Sequence, residues 1–243
     1  MKKILLLQFR NDSSAQYEIG CFNRFSDGSS TIFEPLNSLN KDINWQDPKS
    51  LVNSFNGVIL GGSGEFCFSG RDAENDKNFE LALKNTSPLV KLLIEKDIPT
   101  LGICFGHQLI GHHLGTKVER DKSQSKSGSF HVSLTDSAKN DPLFNGLPEK
   151  FIAQYGHKDS LRELPNNTKL LASGGDKCRT SSLKHKNNIY TVQFHPEMNK
   201  DDLLAKVDIY SDYIDDLDEF TKSLKDSDHA PKIINNFIEK IAK

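Results

Sequence analysis

The chain has 243 residues, 36% of them hydrophobic and 26% charged, with a formal net charge of −2. That length suits one large domain or two small ones, and the near-neutral balance supplies no electrostatic footprint for nucleic acid or an anionic membrane. No apolar run approaches bilayer-spanning length, and the cysteines (Cys21, Cys67, Cys104, Cys178) lie scattered without a CxxC pair, which argues against a zinc site and against a disulfide framework.

The opening MKKILLLQFRND has a short apolar run followed by Arg10 and Asp12, where a signal peptide would need small residues. It reads as the first buried strand of a cytoplasmic protein. Further strand-length runs follow: KILLLQF (3–9), TIFEPL (31–36), GVIL (57–60) and PTLGIC (99–104). Before the last of these, Ser87-Pro88 reads as an N-cap with proline at the first helical position, and Leu89, Val90, Leu92, Leu93 and Ile94 form an apolar stripe up to Lys96. Continuously apolar strands alternating with helices predict a parallel sheet covered on both faces.

A short helix over 108–113 is closed by Gly115 as a left-handed cap. After it the texture changes to FHVSL (130–134), KFIAQY (150–155), KLLAS (169–173), CRTSSL (178–183) and NNIYTVQF (187–194), short strands of a mixed sheet extension with hairpins. Beyond residue 200 the chain is acidic and helical in character. Asp228 is placed to cap a helix starting near Pro231, with Ile233, Ile234, Phe237, Ile238 and Ile241 on one face. The run DDLDE (215–219) reads as a solvated face. The expected organisation is one domain over 1–200 and a helical extension over 201–243 packed on it.

Three segments carry chemistry. In GICFG, Gly102 and Gly106 flank Cys104 directly after a buried strand and before a helix. This is the nucleophile-elbow pattern with cysteine in place of serine, and a helix N-terminus there favours thiolate over thiol. Taken alone, it fits a structural cysteine equally well. In QFHPE (193–197), His195 precedes Glu197 by two residues at a strand end. A cysteine nucleophile needs an imidazole to move its proton and a carboxylate to fix the imidazole's tautomer. In GVILGGSGEF (57–66) a strand runs into a cluster of glycines whose amides suit an anion; the Lys-Ser/Thr ending of a P-loop is absent. Cys67, just behind, reads as a small buried residue.

GICFGHQ, QFHPE and the strand leading to GG together resemble class I glutamine amidotransferases of the triad type, most closely the amidotransferase domain of GMP synthetase and its stand-alone relatives. GHKDSLRELP (156–165) and GTKVERD (115–121) are similar to further stretches of that group. The resemblance covers roughly residues 1–200. It implies a flavodoxin-like three-layer α/β sandwich with a mostly parallel central sheet and a mixed hairpin extension. It also implies hydrolysis of glutamine to glutamate and ammonia through a γ-glutamyl thioester. By position, Cys104 is the nucleophile, His195 the general base and acid, and Glu197 its orienter. The backbone amides of Gly62 and Phe105 form the oxyanion hole, and Gly61, Gln108, Ser127, Gly128 and Ser129 serve substrate binding. No metal or cofactor is implied. The partners implied are glutamine or a γ-glutamyl compound and a separate ammonia-accepting synthetase, with neither nucleic acid nor membrane.

This chain has Lys126-Ser127-Gly128 where the family carries Glu-x-Gly, and GGSG where it carries GGP. The choice between free glutamine and a larger γ-glutamyl compound therefore stays open. A catalytically silent regulatory subunit is the third reading, disfavoured by the complete Cys–His–Glu set.

Overall fold

Four consecutive apolar residues in the first strand serve two cores. Ile4 and Leu6 pack into one apolar cluster, Leu5 and Leu7 into another, and all are almost fully buried. Side chains alternate across a strand, so this pattern requires cover on both faces. The computed structural model describes residues 1–26, 30–70, 72–207 and 217–243.

In chain order these residues form β1 (Lys2–Gln8), α1 (Ser14–Asn23), β2 (Thr31–Asn37), α2 (Pro48–Val52), β3 (Gly57–Leu60), α3 (Ala73–Lys96), β4 (Thr100–Ile103), α4 (Phe105–His113), β5 (Val118–Arg120), β6 (Lys126–Leu134), β7 (Lys150–His157), β8 (Asp159–Leu161), β9 (Lys169–Ser173), β10 (Ser182–Lys184) and β11 (Ile189–Val192). Then come α5 (Lys200–Val207), α6 (Leu217–Ser223), α7 (Lys232–Asn236) and a π-helical turn over Phe237–Ile241.

Among the described residues the main sheet has nine strands in the order β2-β1-β3-β4-β11-β10-β9-β6-β7. Strands β2, β1, β3, β4 and β11 are parallel to one another, while β10, β9, β6 and β7 add on in antiparallel fashion. The parallel half has the strand order of a flavodoxin-like doubly wound sheet, and the antiparallel half is the expected hairpin extension. Strands β5 and β8 pair separately.

One face is covered by Phe22 of α1 and by Ile233, Ile234, Phe237, Ile238 and Ile241 near the C-terminus. The other is covered by Ala82, Leu89, Val90 and Leu93 of α3 and by Phe105, Leu109 and Ile110 of α4. The C-terminal helix thus belongs to the main core. The expected acidic face at 215–219 falls partly outside the described residues; Leu217 and Asp218 are exposed.

Three local expectations are corrected. Ser87-Pro88 does not open a helix. α3 begins at Ala73, capped by Asp72, whose side chain accepts from the N–H groups of Glu74 and Asn75, and Pro88 sits inside. An interior proline costs about 3 kcal/mol. Burying Leu89, Val90 and Leu93 contributes roughly 1.5–3 kcal/mol each, which outweighs it. Asp228 is not a cap: α7 starts after Pro231 with no side-chain cap. Of CRTSSL only the end is strand, because Cys178 has φ 61° and its carbonyl accepts the Gly174 N–H at 2.9 Å, closing a turn.

Candidate active site

β4 and α4 meet at Cys104 without a connecting loop. Cys104 has φ 51° and ψ −99°, a conformation that costs a non-glycine residue about 1–3 kcal/mol and persists only where its surroundings impose it. The flanking glycines show how. A Cβ on Gly102 would lie 2.7 Å from the Gly106 carbonyl oxygen, and one on Gly106 would overlap the Leu60 carbonyl oxygen. Backbone passes too close on both sides for any side chain. The Cys104 Sγ lies 3.9 Å from the carbonyl oxygen of Gly156, at the end of β7.

His195 and Glu197 leave the end of β11, the strand next to β4 in the sheet. His195 Nδ1 and Glu197 Oε1 are 2.6 Å apart, and both residues are buried. With Nδ1 so engaged, the ring is oriented by the carboxylate. Three side chains converge beside it: a methyl carbon built on Gly62 would lie 2.8 Å from His195 Cε1, 3.0 Å from Arg10 Nη2 and 3.6 Å from Cys104 Cβ. Burial works to lower the His195 pKa, but Glu197 and the Cys104 thiol outweigh it and push the imidazole up to about 9. Burial works the other way on Glu197, and there His195 and Lys206 prevail and hold the carboxyl below its ordinary range.

A small cleft over Cys104 is lined by Ser63, Phe66, Phe105, Gln108, His157 and Asp159, among others, and encloses about 10 Å³. Gln108 Nε2 donates to the Asp159 carbonyl at 2.8 Å and to Gln193 Oε1 at 3.3 Å, so the side chain expected to hold substrate also ties α4 to β8. His157 is buried, and desolvation lowers its pKa to about 4. The Asp159 carboxylate accepts from the Ser69 N–H at 3.0 Å and from its hydroxyl at 2.6 Å.

Other expected site residues have partners within the protein. Gly62 donates its N–H to Glu18 Oε1 at 3.2 Å. Gly61 is used structurally: its N–H donates to the Leu7 carbonyl at 2.9 Å and its own carbonyl accepts from the Gly106 N–H at 3.1 Å. Ser127 and Gly128 pair with Gly156 and Tyr155 across the β6–β7 ladder. Ser129 Oγ donates to Gln154 Oε1 at 2.7 Å and accepts from the Lys225 N–H at 2.9 Å, so the C-terminal segment already occupies it. Lys126 turns into the protein and donates to the Gly174 carbonyl at 2.5 Å.

Sequence reasoning misses Arg10 and Glu18, a buried ion pair (Nε to Oε1 3.2 Å) beneath the Gly61–Gly62 turn. Nothing in the segment Arg10–Glu18 has catalytic spacing, and nothing in it announces α1. Asp159 and His157 stand out in the sequence only as part of a resembling stretch.

The profile of the family described as glutamine amidotransferase class-I matches residues 44–203, more than half of the chain. The chain belongs to the class I glutamine amidotransferase family. Among curated relatives of this chain, a glutamine-hydrolyzing GMP synthase subunit from Pyrococcus abyssi is 36% identical over 137 residues, 56% of this chain and 66% of its own. The Thermococcus kodakarensis protein of the same name is 41% identical over 115 residues, 47% of this chain and 58% of its own. The matched region thus spans less than two thirds of these relatives' length. In structure, the chain resembles a glutamine amidotransferase from Thermotoga maritima, with TM-score 0.75 at 18% identity over 100% of this chain and 98% of that one. It also resembles one from Methylobacillus flagellatus, with TM-score 0.67 at 14% identity over 98% and 90%. Those likenesses establish the fold.

Proposed function

We propose that this chain hydrolyses glutamine to glutamate and ammonia through a γ-glutamyl thioester on Cys104, and passes the ammonia to a separate synthetase. The observation that carries the reading is the convergence of a strained, glycine-flanked Cys104 with the His195–Glu197 pair at 2.6 Å. Family membership supports it, as do the names of the relatives, GMP synthase subunits described as glutamine-hydrolyzing.

The Cys104 thiolate attacks the γ-carbonyl carbon and the carbonyl electron pair moves to oxygen, where the N–H of Phe105 at the start of α4 stabilises it. Collapse of this intermediate breaks the C–N bond as the His195 imidazolium gives its proton to the leaving nitrogen, and ammonia departs. The neutral imidazole then takes a proton from water, which attacks the thioester, and glutamate leaves as the thiol is restored. Glu197 holds the ring throughout.

The cleft over Cys104 encloses about 10 Å³, the space of about one water. So small a site favours glutamine, the smaller substrate, over larger γ-glutamyl compounds. We place the protein in the cytoplasm because its four cysteines, scattered without a CxxC pair, suit a reducing compartment. Among the described residues no helix is long and apolar enough to cross a membrane.

The test is glutamate release from glutamine and from a panel of γ-glutamyl conjugates, with Cys104→Ala as control, in isolation and with a glutamine-dependent synthetase. Cys104-dependent release favouring glutamine is expected. Faster turnover of a conjugate, or no release in either setting, overturns the reading.

A further inference from the structure

The amide expected to stabilise the oxyanion already has a partner, and the next one along the chain does not. The Gly61–Gly62 peptide is fastened at both ends. Its carbonyl accepts the Gly106 N–H at 3.1 Å, and its N–H donates to Glu18 Oε1 at 3.2 Å. Glu18 is 1% exposed and also accepts from Gln8 Nε2 at 3.0 Å and Arg10 Nε at 3.2 Å. A developing oxyanion at the same N–H would be brought against that carboxylate, and like charges at such range repel strongly in a poorly solvated site.

Ser63 stands where the resembling family carries proline, so this chain has an N–H at a position where a proline has none. Ser63 lines the cleft together with Cys104 and Phe105. Among the described residues no hydrogen bond engages the N–H of Ser63 or that of Phe105. The Ser63 hydroxyl accepts from the N–H groups of Glu65 at 3.1 Å and Phe66 at 2.8 Å, which fixes the turn and with it the backbone of Ser63. Backbone donors without acceptors are rare in folded interiors. Here Phe105, which is buried, and Ser63, which is half-buried, border the same small cleft as the nucleophile.

We propose that the oxyanion hole of this chain is built from the N–H groups of Ser63 and Phe105, with Glu18 holding the Gly62 amide out of that role. This rests on the hydrolytic reading above. When the Cys104 sulfur bonds to the substrate carbonyl carbon, the π electron pair moves to oxygen, and that oxygen accepts from both amides.

The test replaces single backbone N–H groups with ester oxygen in the full chain. Lactic acid at position 63 is compared with Ser63→Ala, which keeps the N–H, and glycolic acid at position 62 is compared with the unaltered chain. The ester at 63 is expected to lower kcat for glutamine by about 100-fold with KM changed little, the size found for loss of one oxyanion donor. The ester at 62 is expected to lower it far less, and Ser63→Pro to fall with the ester at 63. Alkylation of Cys104 by iodoacetamide, which forms no oxyanion, is expected to stay unchanged in the ester at 63. A loss at 62 equal to or greater than that at 63, full activity in Ser63→Pro, or a parallel loss of alkylation overturns the assignment. If the unaltered chain releases no glutamate, the hydrolytic reading fails by itself. Affinity for glutamate γ-semialdehyde, which adds the Cys104 thiol across its carbonyl, then decides the donor: weakening confined to 63 supports Ser63, and any other pattern overturns it.

Discussion

The main-chain N–H of His195 donates to the carbonyl of Gln154 at 2.8 Å, a bridge between the segment after β11 and the middle of β7. Gln154 is fully buried; its Nε2 donates to the Lys225 carbonyl at 2.9 Å and its Oε1 accepts from Ser129. One residue therefore ties the His195 segment, the antiparallel extension and the C-terminal segment together. Gln154→Ala keeps the main-chain bond to His195 but takes the amide away from Ser129 and the Lys225 carbonyl, and a loss of about 1–3 kcal/mol in urea unfolding is expected. kcat changes little, because the carbonyl that holds the His195 N–H stays in place. Unchanged stability would show that the side chain holds nothing.

His195 and Glu197 should make unequal contributions. In other triads, removal of the base costs about 10⁶-fold in kcat and removal of the orienting carboxylate about 10⁴-fold. Initial rates of glutamate release for His195→Ala and Glu197→Ala should fall in that order. A greater loss from Glu197→Ala would mean that the carboxylate acts directly on the substrate.

The same pair makes stability depend on pH. The folded-state pKa of His195 is pushed up to about 9 from its ordinary 6.5, so the native state binds this proton more tightly than the unfolded chain. Its stabilising contribution is complete below pH 6.5 and is lost as pH rises through about 9. Unfolding free energy measured across that window should decline, and decline less in Glu197→Gln. Parallel curves for the two proteins would remove the pair as the cause.

Two glycines test two kinds of constraint. Gly106→Ala drives a methyl group into the Leu60 carbonyl oxygen, a backbone clash expected to cost about 1–3 kcal/mol or more. It also displaces the Gly106 N–H from Gly61 and lowers activity. Gly115 has φ 88° with open space around it, so Gly115→Ala costs only the conformational penalty of about 1–2 kcal/mol and leaves turnover intact. Thermal unfolding and glutamate release distinguish the two.

Arg10 and Glu18 are 2% and 1% exposed and joined at 3.2 Å. Removing one member of such a buried pair leaves the other uncompensated, at about 3–5 kcal/mol. Arg10→Met should therefore destabilise strongly, and Arg10→Met/Glu18→Met should recover much of the loss. Additive losses in the double mutant would show that the charges do not sense each other.

What the sequence by itself determined were features that depend on a few neighbouring residues. Runs such as GVIL and KLLAS are strands because apolar residues buried on both faces leave little choice. The elbow at Cys104 is legible because only glycine tolerates backbone so close on either side. His195 and Glu197 are two residues apart, and their pairing needs no distant element. The cap at Asp72 and the proline inside α3 were not legible, since a helix boundary is settled by how much of one face is buried elsewhere. Nor were the partners of the polar groups. Glu18 reaches Gly62 across 44 residues and Gln154 reaches Lys225 across 71, contacts that exist only because sheet order sets those segments side by side. Only the tertiary structure decided which amides near Cys104 are taken, because a backbone N–H has the same chemistry in every residue and differs only in what lies opposite.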